Sequence, residues 1–497
     1  MTGENSKKRK REEERGVFDM FAELIGAINN ALYSYILIIL LLAVGLYFSL
    51  RTKFVQFRLL GESIRVVGEK SGDKNSVSAF EALMVSTASR VGTGNIVGVA
   101  NAIAIGGYGS VFWMWIIALV GGASAFVEST LAQVYKKKAP DGSSYGGPSY
   151  YIQAALNSRV LGVVFALALI ATYAGGFNML ASFNLIDSMS GYGFYETAGY
   201  VSIMGGTYSV VALVGGALLA ILVGVCIMGG GKRIVKVTGV LVPVMGVLYI
   251  LMALVVMVLN IGMVPVVLGK IFSAAFDFKA IFGGFAGSAM MQGIKRGLYS
   301  NEAGVGSAPN AAAAADVSHP VKQGLVQMLS VFIDTILICT ATAMMALCTG
   351  IIPSDSLKGA PFVQQSLATT FGSFGPYFIT FALLLFAFTT LLGNLFYCEG
   401  CLNYVAGHTV GKNGMTIFRL IAVVIVFVGA QLEFGMAWDI ADVLMGIMAL
   451  INLPVIVILG KTALKALDDY QRQRRAGKDP VFKASSIGLK QETDFWN

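Results

Sequence analysis

SRVGTGNIVG, residues 89–98, lies between AFEALMVSTA (79–88) and VANAIAIGGYGSVFWMWIIALV (99–120), two runs apolar or small enough to sit in a bilayer. Three glycines, an arginine and an asparagine at that depth predict a broken helix. A break in lipid frees amides and carbonyls at a cost of several kcal/mol each unless a partner satisfies them. Amides heading a half-helix suit a carboxylate, and carbonyls ending the preceding half suit a cation. The stretch Val91 to Asn95 therefore reads as a site for a zwitterion and a small cation. The competing reading is a glycine hinge used only for packing; Thr93 and Asn95 within the break weigh against it.

The rest of the chain supplies the bilayer context. Its 497 residues are 56% hydrophobic and 13% charged, with a mean hydropathy of +0.72. Soluble domains carry roughly twice that charge fraction. Runs of the length needed to cross a membrane, about 20 residues, fall near 33–50, 81–104, 110–135, 161–187, 208–228, 236–260, 281–300, 323–349, 376–404, 417–433 and 437–460. No soluble domain or cleavable signal is apparent. The five scattered cysteines offer no disulfide framework. CEGC (398–401) has redox or metal spacing but lies in a span without a second pair, so it reads as helix packing.

The net charge of +8 does not point to nucleic acid, because the cations gather in alternate loops. Residues 51–74, 136–138, 232–236 and 461–475 are basic, while 187–208 hold neither Lys nor Arg. This positive-inside pattern puts 51–80 and the C-terminal tail in the cytoplasm. KKRKREEER (7–15) then falls outside, against the rule. VFDMFAELIGAINNAL (17–32) reads as a short amphipathic helix on the membrane surface. Membrane lipid is thus an expected partner.

With the first span set aside, ten remain, and a second glycine-broken segment, FGGFAGSAMMQGIKRGLYSNEAGVGS (282–307), opens the second five. Consecutive five-span repeats must run in opposite directions. Interrupted segments at matching places in such halves are the best sequence pointer to a transporter's binding site. The expected organisation is an arm and interfacial helix over 1–32, an added helix over 33–50, repeats over 81–260 and 281–460, and a tail over 461–497. The adjacent hydroxyls of Thr389 and Thr390 fit a small hard cation, although Thr often bonds back to its own helix. Arg90, Glu128, Lys295, Arg296, Glu302, Asp334 and Glu399 stand at membrane depth, so each is expected to face the bundle interior. Opposite charges among them are expected to pair as gates. His319 and His408 lie outside the spans and read as interfacial.

VGTGNIVGVANAIAIGGYGSVFWMW (91–115), GGPSYYI (146–152), GIKRGLYSNEAGVGSAPNAAAAA (293–315), HPVKQG (319–324) and FIDT (332–335) together closely resemble the alanine or glycine:cation symporter family. The resemblance implies an all-α LeuT-like fold of five-plus-five inverted repeats with one added helix, about eleven spans in all. It also implies Na⁺-coupled, or in some members H⁺-coupled, uptake of small neutral amino acids across a bacterial plasma membrane, with no other cofactor. By the same resemblance, Thr93, Gly94 and Asn95 meet the substrate, and Gly287, Ser288 and Gln292 line the pocket's other side. Carbonyls of Ala88 and Val91 and the hydroxyls of Thr389 and Thr390 hold Na⁺. Glu128 resembles an acid that braces the broken helices; the charges themselves leave Arg90, Glu128, Glu302 and Asp334 as gating residues or as static supports behind the site. Asn394 replaces a tryptophan of many members, and FNMLASFN (177–184) lacks a frequent glutamine. Asn394 is therefore expected at the pocket wall, and glutamine remains an alternative substrate. A channel would need a continuous pore. An intramembrane hydrolase would need a motif such as HExxH, which does not occur.

Overall fold

In a computed structural model, the described residues are 20, 23–69, 71–72, 76–140, 142–203, 206–276, 288–354, 357–432, 434–489 and 491–497. The chain is a helical bundle. Among these residues nine continuous helices are long and apolar enough to cross a membrane. They are α1 (Glu23–Arg51), α4 (Gly109–Val134), α5 (Arg159–Asp187), α6 (Val210–Ile227), α7 (Gly230–Leu259), α10 (Pro320–Leu347), α11 (Phe374–Ala406), α12 (Lys412–Gly429) and α13, which runs over Phe434–Arg475. Two further spans are interrupted: α2 (Ala79–Arg90) with α3 (Val97–Gly106), and α8 (Ala289–Asn301) with α9 (Pro309–Ala314). The eleven expected spans are thus present, and the two that break are the two opened by glycine-rich sequence.

Two boundaries differ from the expectation. Residues 23–32 do not form a separate interfacial helix; they are the first turns of α1, which passes through a π-helical turn at Leu32–Ile36. The charged arm 7–15 lies outside the described residues. At the other end α13 runs 42 residues, about 63 Å at 1.5 Å per residue, so it projects beyond any bilayer.

Local chemistry sets the helix starts. Ser78 and Glu81 form a reciprocal capping box on α2, with Glu81 N donating to Ser78 Oγ at 3.2 Å and Ser78 N to Glu81 Oε2 at 2.8 Å. Ser158 caps α5, and His319 followed by Pro320 opens α10. The distribution of side chains is that of a membrane bundle. Leu218, Ile221, Val240, Val247, Leu251, Ile421 and Val424 on α6, α7 and α12 are exposed, whereas Ser86, Asn95, Ser124, Glu128, Gln133, Gln327 and Asp334 are buried. Polar residues inside and aliphatic ones outside reverse the soluble pattern, because lipid rather than water surrounds the outer faces.

The inner layer of α2, α4, α8, α10 and α11 packs closely on small residues. A Cβ added at Gly393 of α11 would fall 2.7 Å from Ser89 N and 3.0 Å from Val85 O of α2. Gly400, two turns along the same helix, has nothing within 4 Å. Gly393→Leu should therefore lower stability by about 1–3 kcal/mol through overpacking, while Gly400→Leu should leave it unchanged. Thermal unfolding of the purified protein in detergent reads both; equal midpoints for the two variants would mean the close approach carries no weight.

Candidate functional site

The first break begins where α2 gives up its ladder. Gly92 N turns away to Arg90 O (2.9 Å) and Asn95 Oδ1 (2.8 Å), so the Ala88 carbonyl loses its usual donor four residues on. Thr390 Oγ1 of α11 reaches that carbonyl at 3.1 Å. Gly92 allows this approach, since a Cβ there would meet Thr390 Oγ1 at 2.3 Å. Thr389 points elsewhere: its hydroxyl donates to Leu385 O (2.9 Å) of its own helix and lies 3.4 Å from Met245 Sδ on α7. Of the four expected cation ligands the structure brings Ala88 and Thr390 together, with Val91 at the break itself, and leaves the Thr389 hydroxyl engaged on its own helix.

A single turn, Thr93–Asn95, joins the two halves. Asn95 holds it from both ends. Its Oδ1 caps Gly92 N, and its Nδ2 donates to Asp334 Oδ1 at 2.6 Å. Its backbone carbonyl accepts from Thr342 Oγ1 at 2.7 Å. Asp334 also accepts from Ser300 Oγ (2.7 Å) and Thr335 Oγ1 (2.8 Å). It projects from a π-helical segment of α10, Phe332–Cys339, a local widening common at functional sites. Asp334 therefore holds the first break in place, with its three partners all neutral side chains. On the other flank Asn184 Nδ2 donates to Thr93 Oγ1 at 2.9 Å.

Aromatic rings close over the turn. Tyr299 of α8 stacks between Phe177 (centroids 4.6 Å apart) and Trp438 (5.1 Å), and a Cβ at Gly94 would meet its ring at 2.4 Å.

The second break lies later than its glycine content suggests. Ser288 is the N-cap of α8, accepting from Met291 N at 3.2 Å, and Gln292 sits inside that unbroken helix against the Cβ position of Gly106. Gly287 lies outside the described residues. The backbone unwinds instead at 302–308, where Glu302, Gly304 and Gly306 all take positive φ (53°, 82° and 92°). Glu128 of α4 braces this segment: its Oε1 accepts from Gly304 N (3.3 Å) and its Oε2 from Asn452 Nδ2 (2.9 Å). Glu302 accepts from Ser307 Oγ at 2.6 Å and from Ser89 Oγ at 3.3 Å.

The expected pairing of opposite charges is found at a different place. Arg90 makes no ion pair among the described residues; Nη1 donates to Gln327 O (3.1 Å) of α10. The buried ion cluster joins α8 to α13, with Lys295 Nζ 2.8 Å from Asp442 Oδ2 and Arg296 forked onto both Asp442 oxygens at 3.0 and 3.1 Å. Asn29 of α1 accepts from Lys295 (3.0 Å) and donates to Asp439 (2.6 Å). Glu399 pairs with Arg419 at 2.6 Å. Asn394, expected at a pocket wall, has both ends of its amide committed: Oδ1 accepts from Ser89 Oγ (2.6 Å) and Nδ2 donates to Asn178 Oδ1 (2.9 Å). Asn394 is thus held at a three-helix junction by neighbours at both ends of its amide. His319 is buried rather than interfacial. Burial pushes it down to about 4, so at neutral pH it is an uncharged cap on α10.

Sequence reasoning missed Asn184, Tyr299, Trp438, Asp442 and Asn452. Each is an ordinary letter inside a helix, and only packing shows that it faces a break or a buried cation.

Two interrupted helices, held open by side chains of their neighbours inside a multi-pass bundle, define a secondary transporter. The particular family follows from comparison with known proteins. The profile of the Sodium:alanine symporter family matches residues 18–484, and the chain belongs to that family. It is 43% identical over 472 residues to the amino-acid carrier protein AlsT of Bacillus subtilis, covering 95% of this chain and 97% of that one. It is 43% identical over 461 residues to the probable sodium/glutamine symporter GlnT of the same organism, covering 92% of each. The fold is that of MhsT, solved in complex with L-phenylalanine: TM-score 0.57, 17% identity, covering 80% of this chain and 93% of that one. The protein is a multi-pass membrane symporter that moves an amino acid with sodium.

Asp442 is the sole carboxylate contacting both buried cations in this cluster, so its loss should be severe. Asp442→Asn should destabilise the protein by about 3–5 kcal/mol, the usual cost of leaving a buried charge uncompensated. Thermal unfolding is the check; the additional change of Lys295 and Arg296 to Met and Gln should return most of the loss.

Proposed function

We propose that the chain takes up a small neutral amino acid, alanine or glycine, together with Na⁺, by alternating access at the first break. The observation that carries this reading is the meeting of Thr390 with the freed Ala88 carbonyl, one turn from amides that head the opposite half-helix. Carbonyls of Ala88 and Val91 and the Thr390 hydroxyl would replace part of the ion's water shell, with Thr389 joining only after a rotamer change. The amides of Thr93 and Gly94 would receive the carboxylate, beside Asn95. Tyr299, itself packed between Phe177 and Trp438, crowds Gly94, which favours a substrate with a small side chain.

Glu128 and Glu302 would hold the second break in the shape it needs, and Arg90 would brace α2 against α10. The repeats would span 81–260 and 281–460. The end bearing residues 53–65, 136–138 and 461–475 would face the cytoplasm of a bacterial cell, since its loops are the basic ones. Exposed aliphatic faces of α6, α7 and α12 would contact lipid.

A second reading, glutamine in place of alanine, is favoured by the likeness to GlnT. Radiolabelled uptake into proteoliposomes with each amino acid, with and without a Na⁺ gradient, separates the two. Uptake indifferent to Na⁺ would overturn the cation site as well.

Substitutions sharpen the assignment. Thr390→Val keeps the shape and removes the oxygen, so it should raise the apparent KM for Na⁺ by roughly tenfold or more, as loss of a buried polar ligand of about 1–3 kcal/mol implies. Thr389→Val should change it far less. Equal effects would mean that both hydroxyls turn to the ion. Gly94→Val should abolish amino-acid binding, because its side chain would drive into Tyr299; the variant must still run as a monodisperse membrane protein. Isothermal titration with alanine decides that point.

A further inference from the structure

The segment after α13 does not trail into solvent. Gly477, with φ of +72°, turns the chain back at the end of α13, and the irregular segment that follows, with a 3-10 turn at Ala484–Ile487, crosses the basic end of the bundle. Phe482 N donates to Ser318 O (3.0 Å) and Ser318 Oγ to Pro480 O (2.8 Å). Phe482 and Trp496 are buried and pack edge to face, with ring centroids 5.5 Å apart. The Trp496 indole donates to Gln133 O at 2.7 Å, and Lys136 Nζ lies 4.6 Å and 5.0 Å from the Phe495 and Trp496 rings. Asp494 accepts from Lys137 Nζ (2.8 Å) and Lys138 N (3.1 Å). Lys465 of α13 donates to Ile487 O at 3.0 Å.

What lies beneath this segment is the junction of both broken helices. Gln133 Nε2 and Lys136 Nζ, the residues under Trp496, both donate to Ala315 O, at 2.8 and 2.9 Å. Ala315 ends α9, the inner half of the second broken helix. Next to it Asp316 N donates to Val77 O at 2.8 Å, just ahead of α2, the inner half of the first. Any widening between α2, α9 and α4 at this end must move the Gln133–Lys136 turn on which Trp496 sits.

We propose that residues 476–497 form a strap that holds the basic end of the transport pathway closed, and that Trp496 must leave Gln133 and Lys136 before this end opens. The proposal rests on the transporter reading above. The strap's make-up suits a releasable contact. Its rim pair is largely exposed, with Lys137 and Asp494 side chains 40% and 32% accessible, and such pairs contribute about 0–1 kcal/mol. Its hold therefore comes mainly from Phe482 and Trp496. Trp496 and Asp494 lie beyond residue 484, where the family profile ends, while Phe482 and the Gln133–Lys136 turn lie within it.

The test uses the full chain in proteoliposomes, with two readouts. Hydrogen exchange followed by mass spectrometry reports whether 476–497 is docked, and counterflow of labelled alanine reports how fast the carrier turns over without a net gradient. Asp494→Lys should speed exchange across 476–497 and raise counterflow by roughly three- to tenfold, as expected when a closed state loses part of its advantage. The reversed pair, Lys137→Asp with Asp494→Lys, should bring both most of the way back, short of the wild type by the lost Lys138 N–H bond; Trp496→Ala should exceed Asp494→Lys in both. The strap is refuted if exchange in 476–497 rises while counterflow stays unchanged. It is equally refuted if counterflow falls and the reversed pair does not restore it, which is the behaviour of a purely structural tail. A wild-type protein giving no counterflow with any neutral amino acid fails the transport reading instead. In that case the strap is refuted if Asp494→Lys and the reversed pair exchange alike.

Discussion

Everything in this bundle depends on keeping the backbone unwound at 91–95 inside lipid. An unsatisfied peptide group there costs several kcal/mol, so the break exists only because neighbouring helices supply partners. Asn95 is the centre of that supply. One side chain caps Gly92 N and grips Asp334, and the same residue's carbonyl receives Thr342. Asp334 in turn is held by Ser300 and Thr335, so α8 and α10 both take part in holding α2 and α3 apart. The cation candidate at Ala88 is a by-product of this arrangement. Gly92 N is drawn off to Asn95 and Arg90, and the carbonyl it would have served is left for Thr390.

The second break is solved with different chemistry. Three positive-φ residues unwind it, and carboxylates join an amide in holding it, Glu128 on Gly304 N, Asn452 on Gly304 O and Glu302 on Ser307 Oγ. The two breaks are not independent. Ser89, beside Ala88, lies within reach of both Glu302 and Asn394. Any displacement of Ala88 and Ser89 is thereby felt at Glu302, the first residue of the second break, through contiguous hydrogen bonds rather than across empty distance.

Much of this was legible in the sequence, and the failures have physical reasons. Span count, the two broken helices and the importance of VGTGN follow from hydropathy and glycine placement alone. The position of the second break does not, because FGGFAG (282–287) advertises flexibility more loudly than NEAGVGS (301–307), where the backbone actually turns. Thr389 and Thr390 are adjacent letters, but consecutive residues on a helix point about 100° apart, so only one faces Ala88. Asn394 sits at the right depth for a pocket wall, yet depth says nothing about azimuth, and its amide is consumed by Ser89 and Asn178. Asp442 escaped notice because it lies near the start of α13, where a carboxylate reads as rim; packing against α8 buries it beneath Arg296 and Lys295. Sequence periodicity locates a residue along a helix axis, whereas ion pairs depend on which helix stands opposite.

The two ends of the pathway are closed by unlike means, and the difference bears on how each opens. At the end near α1 the closure is electrostatic: Asp442 carries two cations in a buried setting, with Trp438 stacked 4.2 Å from the Arg296 guanidinium. Leaving such a charge buried and unpaired costs about 3–5 kcal/mol, a large part of a fold's margin of roughly 5–15 kcal/mol, so separation there is eased by admitting water. Solvent then repays what the ion contacts gave up, and the amino acid arrives through the same wetted route. At the basic end the closure is backbone and ring: Gln133 and Lys136 on Ala315 O, Asp316 N on Val77 O, and Trp496 laid across them. Those groups can exchange their partners for water one at a time. Contacts that yield only to bulk hydration and contacts that yield stepwise respond to different influences, so the two ends of this bundle need not loosen together.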